Sequence, residues 1–207
     1  MDPGRLSMPI GEAMFSQRSI RHFRPDPVPM DDIHLLMEAA VKAPNGANRQ
    51  IARFLVLTDR GRIREFGPLY HEAWWAKRRE ERGWTRPEDI PLDERSYRSA
   101  AGLADRMGEV PCVVFAFGEP PGSANSVLPA VQNLMLAARA LGIGSIPTTL
   151  HPSVMERFHA MFEIPKTVTF HFCVPLGYPE RGFGPTVRKP TAETTYLDRW
   201  GGAVPWR

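Results

Sequence analysis

The chain has 207 residues, of which 43% are hydrophobic and 24% are charged, a composition that is ordinary for a globular protein with a substantial core. Its net charge of +3 is too small to indicate nucleic-acid binding, so we expect no such partner. The longest apolar run is shorter than a membrane span, and residues 1–15 lack the apolar centre of a signal peptide. Because Cys112 and Cys173 each lie in an apolar run, both are expected to be buried thiols. These features together predict a cytoplasmic protein without a membrane anchor.

Hydrophobic periodicity, with glycines and prolines between the periodic segments, predicts a mixed order of helices and strands. Helices are predicted over residues 9–17, 30–43, 59–66, 95–108, 126–141 and 152–162, and strands over residues 51–58, 111–117 and 168–178. The pair Gly67-Pro68 is expected to end the third helix, and residues 145–150 to form a short loop or strand. Because helices and strands do not alternate strictly, an α+β fold is favoured over a doubly wound sheet, in one domain over residues 1–207.

Two segments are expected to cover or contact something outside the core. Residues 70–100 are predicted to form a variable lid, because three tryptophans lie among many charges between residues 70 and 86. The alternative for that segment is a peripheral helix with ordinary packing. Residues 180–207 lose all periodicity but keep Tyr196 and Trp200, so they are too aromatic for a disordered tail. We expect this C-terminal arm to pack against a partner such as a second subunit.

Three arginines stand within seven residues near the N-terminus, at Arg18, Arg21 and Arg24, before a run that contains three prolines. A guanidinium group binds two oxygens of one phosphate at once, and Ser19 adds a hydroxyl donor. The segment therefore favours an anion site. A solvated basic turn is the alternative, because charged runs usually face water.

Searches for other chemistry fail: no histidine pair has metal-binding helical spacing around a glutamate, and no Gly-x-Ser-x-Gly motif is present. Three polar groups remain, namely basic residues near both chain ends, an amide-rich loop, and a polar loop after a buried helix. Their members are Arg18, Arg21, Arg188 and Lys189; Asn45, Asn48 and Gln50; and Ser145, Pro147, Thr148 and Thr149. Flavin mononucleotide (FMN) has three matching parts, a phosphate, a polyol and a polar ring, although these residues alone only suggest it.

Four motifs follow one another along the chain. They are Gln17-Arg-Ser-Ile-Arg-His-Phe23; Ala43-Pro-Asn-Gly-Ala-Asn-Arg-Gln50; Val131-Gln-Asn-Leu134 through Leu141-Gly-Ile-Gly-Ser145; and Leu176-Gly-Tyr-Pro179 with Arg188-Lys-Pro190 and Trp200-Gly201. In this order they closely resemble the motifs of the FMN-dependent nitroreductase family. The sequence departs from the family pattern at Ile51-Ala52, where Pro-Trp is usual, and at Asn45, where serine is common. Neither change removes a phosphate ligand, so FMN rather than FAD is still expected.

The resemblance implies a three-layer α+β fold, in which helices flank a mostly antiparallel central sheet. It also implies a homodimer that binds FMN at the subunit interface and exchanges the extended C-terminal arm. Arg21 would lie near the N1–C2 edge of the flavin, and Tyr70, Trp74 and Trp75 would belong to a lid over the substrate. The implied FMN-binding residues are Arg18, Ser19 and Arg21 at the phosphate and ribityl chain; Pro44, Asn45, Asn48 and Gln50 at the ribityl chain and ring; Pro147, Thr148 and Thr149 beside N5 and O4; and Arg188 and Lys189 at the phosphate.

The activity implied is the reduction of an electron-poor small molecule, such as a nitroaromatic or a quinone. NAD(P)H would give a hydride to flavin N5 and leave before the acceptor binds, which predicts ping-pong kinetics. Alternatives within the same fold are fragmentation of flavin to dimethylbenzimidazole, dehalogenation of aromatics and enone reduction. Non-enzymatic flavin binding, and nucleic-acid binding through the basic residues 77–106, are the alternatives of other classes.

Overall fold

A four-stranded sheet lies at the centre of the protein, whose computed structural model describes residues 2–119 and 124–206. The strands are β1 (Ala52–Leu57), β2 (Cys112–Gly118), β3 (Gly144–Ser145) and β4 (Thr169–Gly177). They are ordered β1-β2-β4-β3, and each neighbouring pair is antiparallel. Phe115 in β2 lies opposite Leu55 in β1 and Cys173 in β4. The predicted α+β class with a mostly antiparallel sheet is confirmed.

Six α-helices flank this sheet in the part of the chain that the structure describes. They are α1 (Ile10–Ser16), α2 (Met30–Val41), α3 (Arg60–Arg82), α4 (Arg95–Arg106), α5 (Ala124–Ala140) and α6 (Met155–Met161). Short 3-10 turns extend α4 over Met107–Glu109 and precede α6 over Pro152–Val154. Every predicted helix and strand is present, and only the third helix ends far from its predicted residue.

Alternate side chains of β2 belong to two hydrophobic clusters, one on each side of the sheet. Val113, Phe115 and Phe117 pack with residues of α3, α4 and α6, whereas Val114 and Ala116 pack with residues of α2 and α5. Successive side chains of a strand point to opposite faces, so the unbroken apolar run of β2 reflects cover on both sides. The order helices, sheet, helices is the predicted three-layer fold.

Both cysteines are free thiols inside these clusters, as the sequence predicted. Burial raises the pKa of Cys112 to about 12 and raises that of Cys173 well above its usual value. The cause is the loss of water around the thiolate, which disfavours the charged form. Both thiols therefore stay protonated at neutral pH, and neither is set up as a nucleophile.

Helix α3 corrects the sequence analysis, because it continues through Gly67 and Pro68 instead of ending there. A proline inside a helix removes one backbone hydrogen bond and costs about 3 kcal/mol. Phe66 and Tyr70, which flank this pair, are 0% and 1% exposed, and burial of such large side chains on one helix offsets that cost. Gly67 is needed here, since a Cβ at this position would lie 2.8 Å from the Gly108 nitrogen.

The tryptophans of the predicted lid are largely part of the core. Trp74 and Trp75 in α3 are 9% and 5% exposed, and their rings meet edge to face with centroids 4.7 Å apart. Tyr70, one turn earlier, is also buried. For residues 70–82 the structure therefore matches the alternative of an ordinarily packed helix. That this helix covers a bound substrate stays a prediction.

The arginine-rich segment is attached to the edge of the sheet near β3. The Ile20 N–H donates to the Ser145 carbonyl at 3.0 Å, and the Arg24 N–H donates to the Tyr178 carbonyl at 2.8 Å. Gly144 allows this close approach, because a Cβ there would lie 2.7 Å from a methyl carbon of Ile20. The backbone thus fixes the arginines beside the loop that follows β3.

Residues 180–206 form an extended arm that is mostly exposed and includes one short 3-10 turn, Thr191–Glu193. Trp200 is 88% exposed, and its ring lies beside that of Tyr196 in the same arm, with centroids 4.8 Å apart. The predicted C-terminal arm is therefore present as an extended segment, and its exchange between subunits stays a prediction. Among the described helices, none has the length and apolar character needed to cross a membrane.

Candidate functional site

A cavity of about 470 Å³ lies between α3, α4 and the loop that follows β3. We call it the aromatic cavity, because Tyr70 and Trp74 of α3 and Tyr97 of α4 line it. The loop contributes three further residues that the sequence predicted for a cofactor site. These are Pro147, Thr148 and Thr149. The structure therefore brings the predicted polar loop together with two of the three predicted lid residues.

A second cavity, of about 320 Å³, adjoins the first and carries most of the positive charge. We call it the arginine cavity, and its lining arginines are Arg18, Arg21, Arg95 and Arg181. Three hydroxyl groups accompany them, from Ser19, Ser96 and Ser99. Arg21 and Ser96 line both cavities, which makes them the junction between the two. Guanidinium groups interleaved with hydroxyl donors are the chemistry that recognises phosphate.

Arg21, at the junction of the two cavities, has hydrogen-bonding capacity that the protein leaves unused. Its Nε is buried and has no hydrogen-bond partner in the protein. Burial lowers the pKa of Arg21; Tyr70 opposes this in part, and the neighbouring charge of Arg18 adds a smaller lowering effect. A guanidinium nevertheless stays charged at any ordinary pH, so a buried donor here calls for an acceptor.

The Lys and Arg side chains that line the two cavities make both of them positively charged. Of the residues that the structure describes, no aspartate or glutamate lines either cavity. The aromatic cavity is lined by three cations, which are Lys77, Arg78 and the shared Arg21. Both cavities are therefore suited to a negatively charged or electron-rich ligand.

Thr148 is held rigidly in the wall of the aromatic cavity. Its N–H donates to the Cys173 carbonyl at 2.9 Å, and its carbonyl accepts from the Cys173 N–H at 2.8 Å. Its hydroxyl lies 3.0 Å from the Tyr70 hydroxyl, and either oxygen can be the donor. Burial raises the pKa of Tyr70, so the phenol stays protonated and available as a donor.

The predicted amide-rich loop lies outside both cavities of its own chain. Asn45 is half-buried, whereas Pro44, Asn48 and Gln50 are exposed, and none of the four lines either cavity. The loop is attached near α5, because the Gly46 N–H donates to the hydroxyl of a serine at the start of that helix, at 3.2 Å. This part of the predicted site is therefore not brought together with the rest within one chain.

That loop also stores backbone strain. Ala47, Asn48 and Gln50 have φ angles of 52°, 53° and 52°, in the left-handed region. This conformation costs a residue with a Cβ roughly 1–2 kcal/mol. The Gln50 N–H donates to the Asn45 side-chain oxygen at 2.8 Å, which helps to hold the loop in shape. Strain of this kind is often found where the backbone is shaped for a ligand.

The predicted basic pair near the C-terminus also lies away from the cavities. Arg188 and Lys189 are exposed, and the Arg188 guanidinium donates to the carbonyl of the preceding residue at 2.8 Å. The structure instead supplies Arg181, from the segment after β4, and Arg95, from the start of α4. Trp75, the third predicted lid residue, does not line the two cavities.

Sequence reasoning missed Arg95, Arg181 and Arg78. Arg95 had a usable signal, because it begins a helix on which Ser96 and Ser99 follow within one turn. Arg181 and Arg78 had none, since each stands among other charged residues in the sequence. Only the tertiary packing, of α3 for Arg78 and of the segment after β4 for Arg181, distinguishes them from ordinary surface arginines.

Comparison with known proteins identifies relatives of this chain and of its fold. The chain is 27% identical over 170 residues to an iodotyrosine deiodinase of Thermotoga neapolitana, which covers 79% of the chain and 85% of the relative. It is 28% identical over 192 residues to an NADH dehydrogenase of Thermus thermophilus, covering 86% and 90%. A crystal structure of oxidized iodotyrosine deiodinase bound to FMN and 3-iodo-L-tyrosine superposes with a TM-score of 0.71 at 22% identity, covering 88% of this chain and 96% of that one.

A family model gives the assignment. The model described as the Nitroreductase family matches residues 15–178, which include the arginine segment, both cavity-lining helices and the whole sheet. This range is most of the chain. The protein therefore belongs to the nitroreductase family, as its motifs and its three-layer fold had indicated.

Proposed function

We propose that this protein binds FMN across the two cavities, takes electrons from NAD(P)H and reduces an electron-poor small molecule such as a nitroaromatic or a quinone. One observation carries the proposal: a buried arginine nitrogen without a partner lies at the junction of a phosphate-like site and an aromatic site. Arg21, which bears that nitrogen, matches the position that the family resemblance gives to a flavin-binding residue.

The residues fit the parts of FMN. Arg18, Ser19 and Arg21 would hold the phosphate and ribityl chain, with Arg95 and Arg181 as further cations around the phosphate. Pro147, Thr148 and Thr149 would lie along the ring, in the aromatic cavity. The absence of carboxylates from the described lining suits a cofactor that carries a phosphate.

Bound FMN would supply the hydride-transfer chemistry between the nicotinamide and the acceptor. Arg21 contributes a fixed positive charge that stabilises negative charge developing on a bound ring, because it is already oriented and partly desolvated. The Thr148 hydroxyl, oriented by Tyr70, offers a hydrogen bond at the polar edge of the ring. Trp74 and Tyr97 supply flat apolar surface against which an aromatic acceptor can stack, and they exclude water from it.

We also infer a homodimer. Ile10, Met14 and Phe15 on α1 are 66%, 58% and 82% exposed, and Leu128 on the neighbouring α5 is 53% exposed. An apolar surface of this kind favours burial against another chain. The strained loop over residues 44–50, which lies outside its own cavities, would then reach the FMN of the partner.

A spectroscopic experiment tests the central proposal. The protein is purified without added cofactor, its visible spectrum is recorded, and NADPH or NADH is then added without oxygen. A flavin spectrum that bleaches, and returns when a nitroaromatic is added, is the expected result. A flavin that stays oxidised with both nicotinamides, or no uptake of added FMN, would overturn the oxidoreductase or the flavoprotein proposal respectively.

A second candidate is reductive dehalogenation of an aromatic substrate at the same site. The 27% identity to an iodotyrosine deiodinase favours it. The reduced protein is incubated with 3-iodotyrosine, and released iodide is measured beside the reduction of a nitroaromatic. Iodide release at a comparable rate would support dehalogenation, and its absence together with rapid nitro reduction would exclude it.

A further inference from the structure

Two cations of the aromatic cavity have no role in the proposed binding of FMN. Lys77 and Arg78 are consecutive residues of α3 and both line this cavity. A surface helix usually turns neighbouring charged residues toward water, but here both reach a cavity with aromatic walls. Binding of FMN therefore does not account for the presence of these two cations in the site.

Arg78 is held in a fixed position with unused hydrogen-bonding capacity. Its side chain is 9% exposed, and its guanidinium carbon lies 5.4 Å from the Trp74 ring centroid and 5.2 Å from that of Tyr97. One terminal nitrogen pairs with Glu81 at 3.1 Å, while the Nε is buried and has no partner. A buried charged donor left in this state is costly unless a ligand accepts from it.

Lys77 adds a second cation at the edge of the same wall. Its Nζ lies 3.5 Å from the Thr149 hydroxyl and 3.9 Å from Glu81, and its side chain is 40% exposed. Glu81 itself is 44% exposed and does not line the cavity. This carboxylate therefore offsets part of the positive charge from the solvent side and leaves the inner side of the wall cationic.

We propose that Lys77 and Arg78 bind the carboxylate of an aromatic acid, which is the acceptor reduced at this site. The ring of such an acid can stack on Trp74 or Tyr97 while its carboxylate meets the two cations. A zwitterionic amino acid fits less well, because the described lining offers no carboxylate to an ammonium group. This inference rests on the proposed function, since it names the acceptor class of the same reaction.

The anion bound by this pair could also belong to the electron donor, because NADPH carries phosphates. The aromatic acid is favoured since Arg78 is enclosed by two rings that suit a flat, single-ring ligand. In a ping-pong reaction the donor and the acceptor have separate KM values, so the two sources of the anion can be distinguished.

The test compares 4-nitrobenzoate with its neutral methyl ester as acceptors for the FMN-loaded protein. The variants are Arg78→Gln and Lys77→Gln, and Arg79→Gln is the matched control, because this arginine of the same helix is exposed and does not line the cavity. Binding of benzoate, which cannot be reduced, is measured separately by calorimetry with the oxidised holoprotein. Thermal unfolding and the flavin spectrum show whether each variant is folded; Lys77→Gln removes a partly exposed charge and keeps the test open if Arg78→Gln does not fold.

We expect wild type to prefer the acid, and each cavity variant to weaken benzoate binding and to raise KM for the acid by about 10- to 100-fold, with the ester unaffected. Arg79→Gln should behave as wild type. The inference is overturned if acid and ester are equivalent in wild type, or if the variants raise KM for NADPH instead of the acceptor. Failure of the proposed function looks different, because the flavin would then stay oxidised with NADPH and neither acceptor would be reduced.

Discussion

At Arg21, a charged side chain is partly buried without enough hydrogen-bond acceptors, and this deficit indicates where a ligand would bind. Its Nε is buried without a partner, whereas Arg18 nearby is exposed and donates to the Pro185 carbonyl at 3.3 Å. The protein alone therefore gives Arg21 less hydrogen bonding than water would. An anionic ligand at the junction of the two cavities removes that deficit, so Arg21 should contribute more to cofactor binding than its more exposed neighbour.

Replacing Arg21 by methionine, which keeps much of the side-chain volume, should raise the dissociation constant for FMN by about 10- to 100-fold, because a charged hydrogen bond to the ligand is lost. The apoprotein should unfold no more easily than wild type, since removal of an unpaired buried charge does not itself destabilise the fold. Quenching of FMN fluorescence measures the first effect, and urea unfolding without FMN measures the second.

The control for that substitution is Arg24→Met in the same segment. Arg24 pairs with Asp26 at 3.5 Å, lies over the Tyr178 ring, and lines neither cavity. FMN affinity should therefore stay at the wild-type value. Equal losses in the two variants would mean that only the general positive charge of the segment matters, and the role given to Arg21 would be wrong.

At the scale of elements, hydrophobic periodicity predicts those helices and strands whose formation depends on nearby residues alone. The strands β1, β2 and β4 and the buried α5 were predictable, because their apolar side chains recur at the spacing of one or two buried faces. The continuation of α3 past Gly67-Pro68 was not predictable. It depends on Gly108, more than forty residues away, whose backbone packs against Gly67. A local rule that ends helices at proline cannot include that contact.

The contact between Gly67 and Gly108 predicts a large effect of a small substitution. Gly67→Ala would place a Cβ 2.8 Å from the Gly108 nitrogen and 2.9 Å from its Cα, both of which are backbone atoms that cannot rotate away. We expect the free energy of unfolding to fall by about 1–3 kcal/mol, as for other overpacked sites. Urea unfolding of the two proteins measures the difference.

Gly11→Ala is the matched control, because Gly11 also lies in a helix but a Cβ there meets nothing within 4 Å. Alanine has the higher helix propensity, so this variant should be more stable than wild type by about 0.5–1 kcal/mol. If Gly67→Ala is stabilised to the same extent, helix propensity governs both positions, and the packing explanation for α3 is contradicted.

At the scale of the whole molecule, the candidate site was only partly predictable. Thr148 and Thr149 could be found from the polar loop after the buried helix, and the structure brings them beside Arg21. Arg181 could not, because its place beside the other arginines follows from how the segment after β4 packs against the rest of the protein. The sequence also could not show that the loop with Asn48 lies outside the cavities of its own chain. That placement leaves the proposed FMN site incomplete unless a second chain contributes.

The proposed dimer predicts complementation between two defective chains. One chain carries Arg21→Met, which damages its own cavities, and the other carries Asn48→Gly and Gln50→Gly, which remove two loop amides. Glycine is chosen because both positions have positive φ, so the substitutions relieve backbone strain and remove only the side chains. Each variant alone should bind FMN weakly. A mixed dimer, however, contains one site with an intact Arg21 from one chain and an intact loop from the other.

The two chains are co-expressed with different affinity tags, and FMN titration of the purified mixture counts the high-affinity sites. With random pairing, about half of the dimers are mixed and each has one intact site, so about a quarter of the wild-type number is expected. Purification through both tags should raise that fraction to about a half, because only mixed dimers remain. If no high-affinity site reappears in dimers purified in this way, the loop acts within its own chain or does not contact FMN, and the site does not require a second chain.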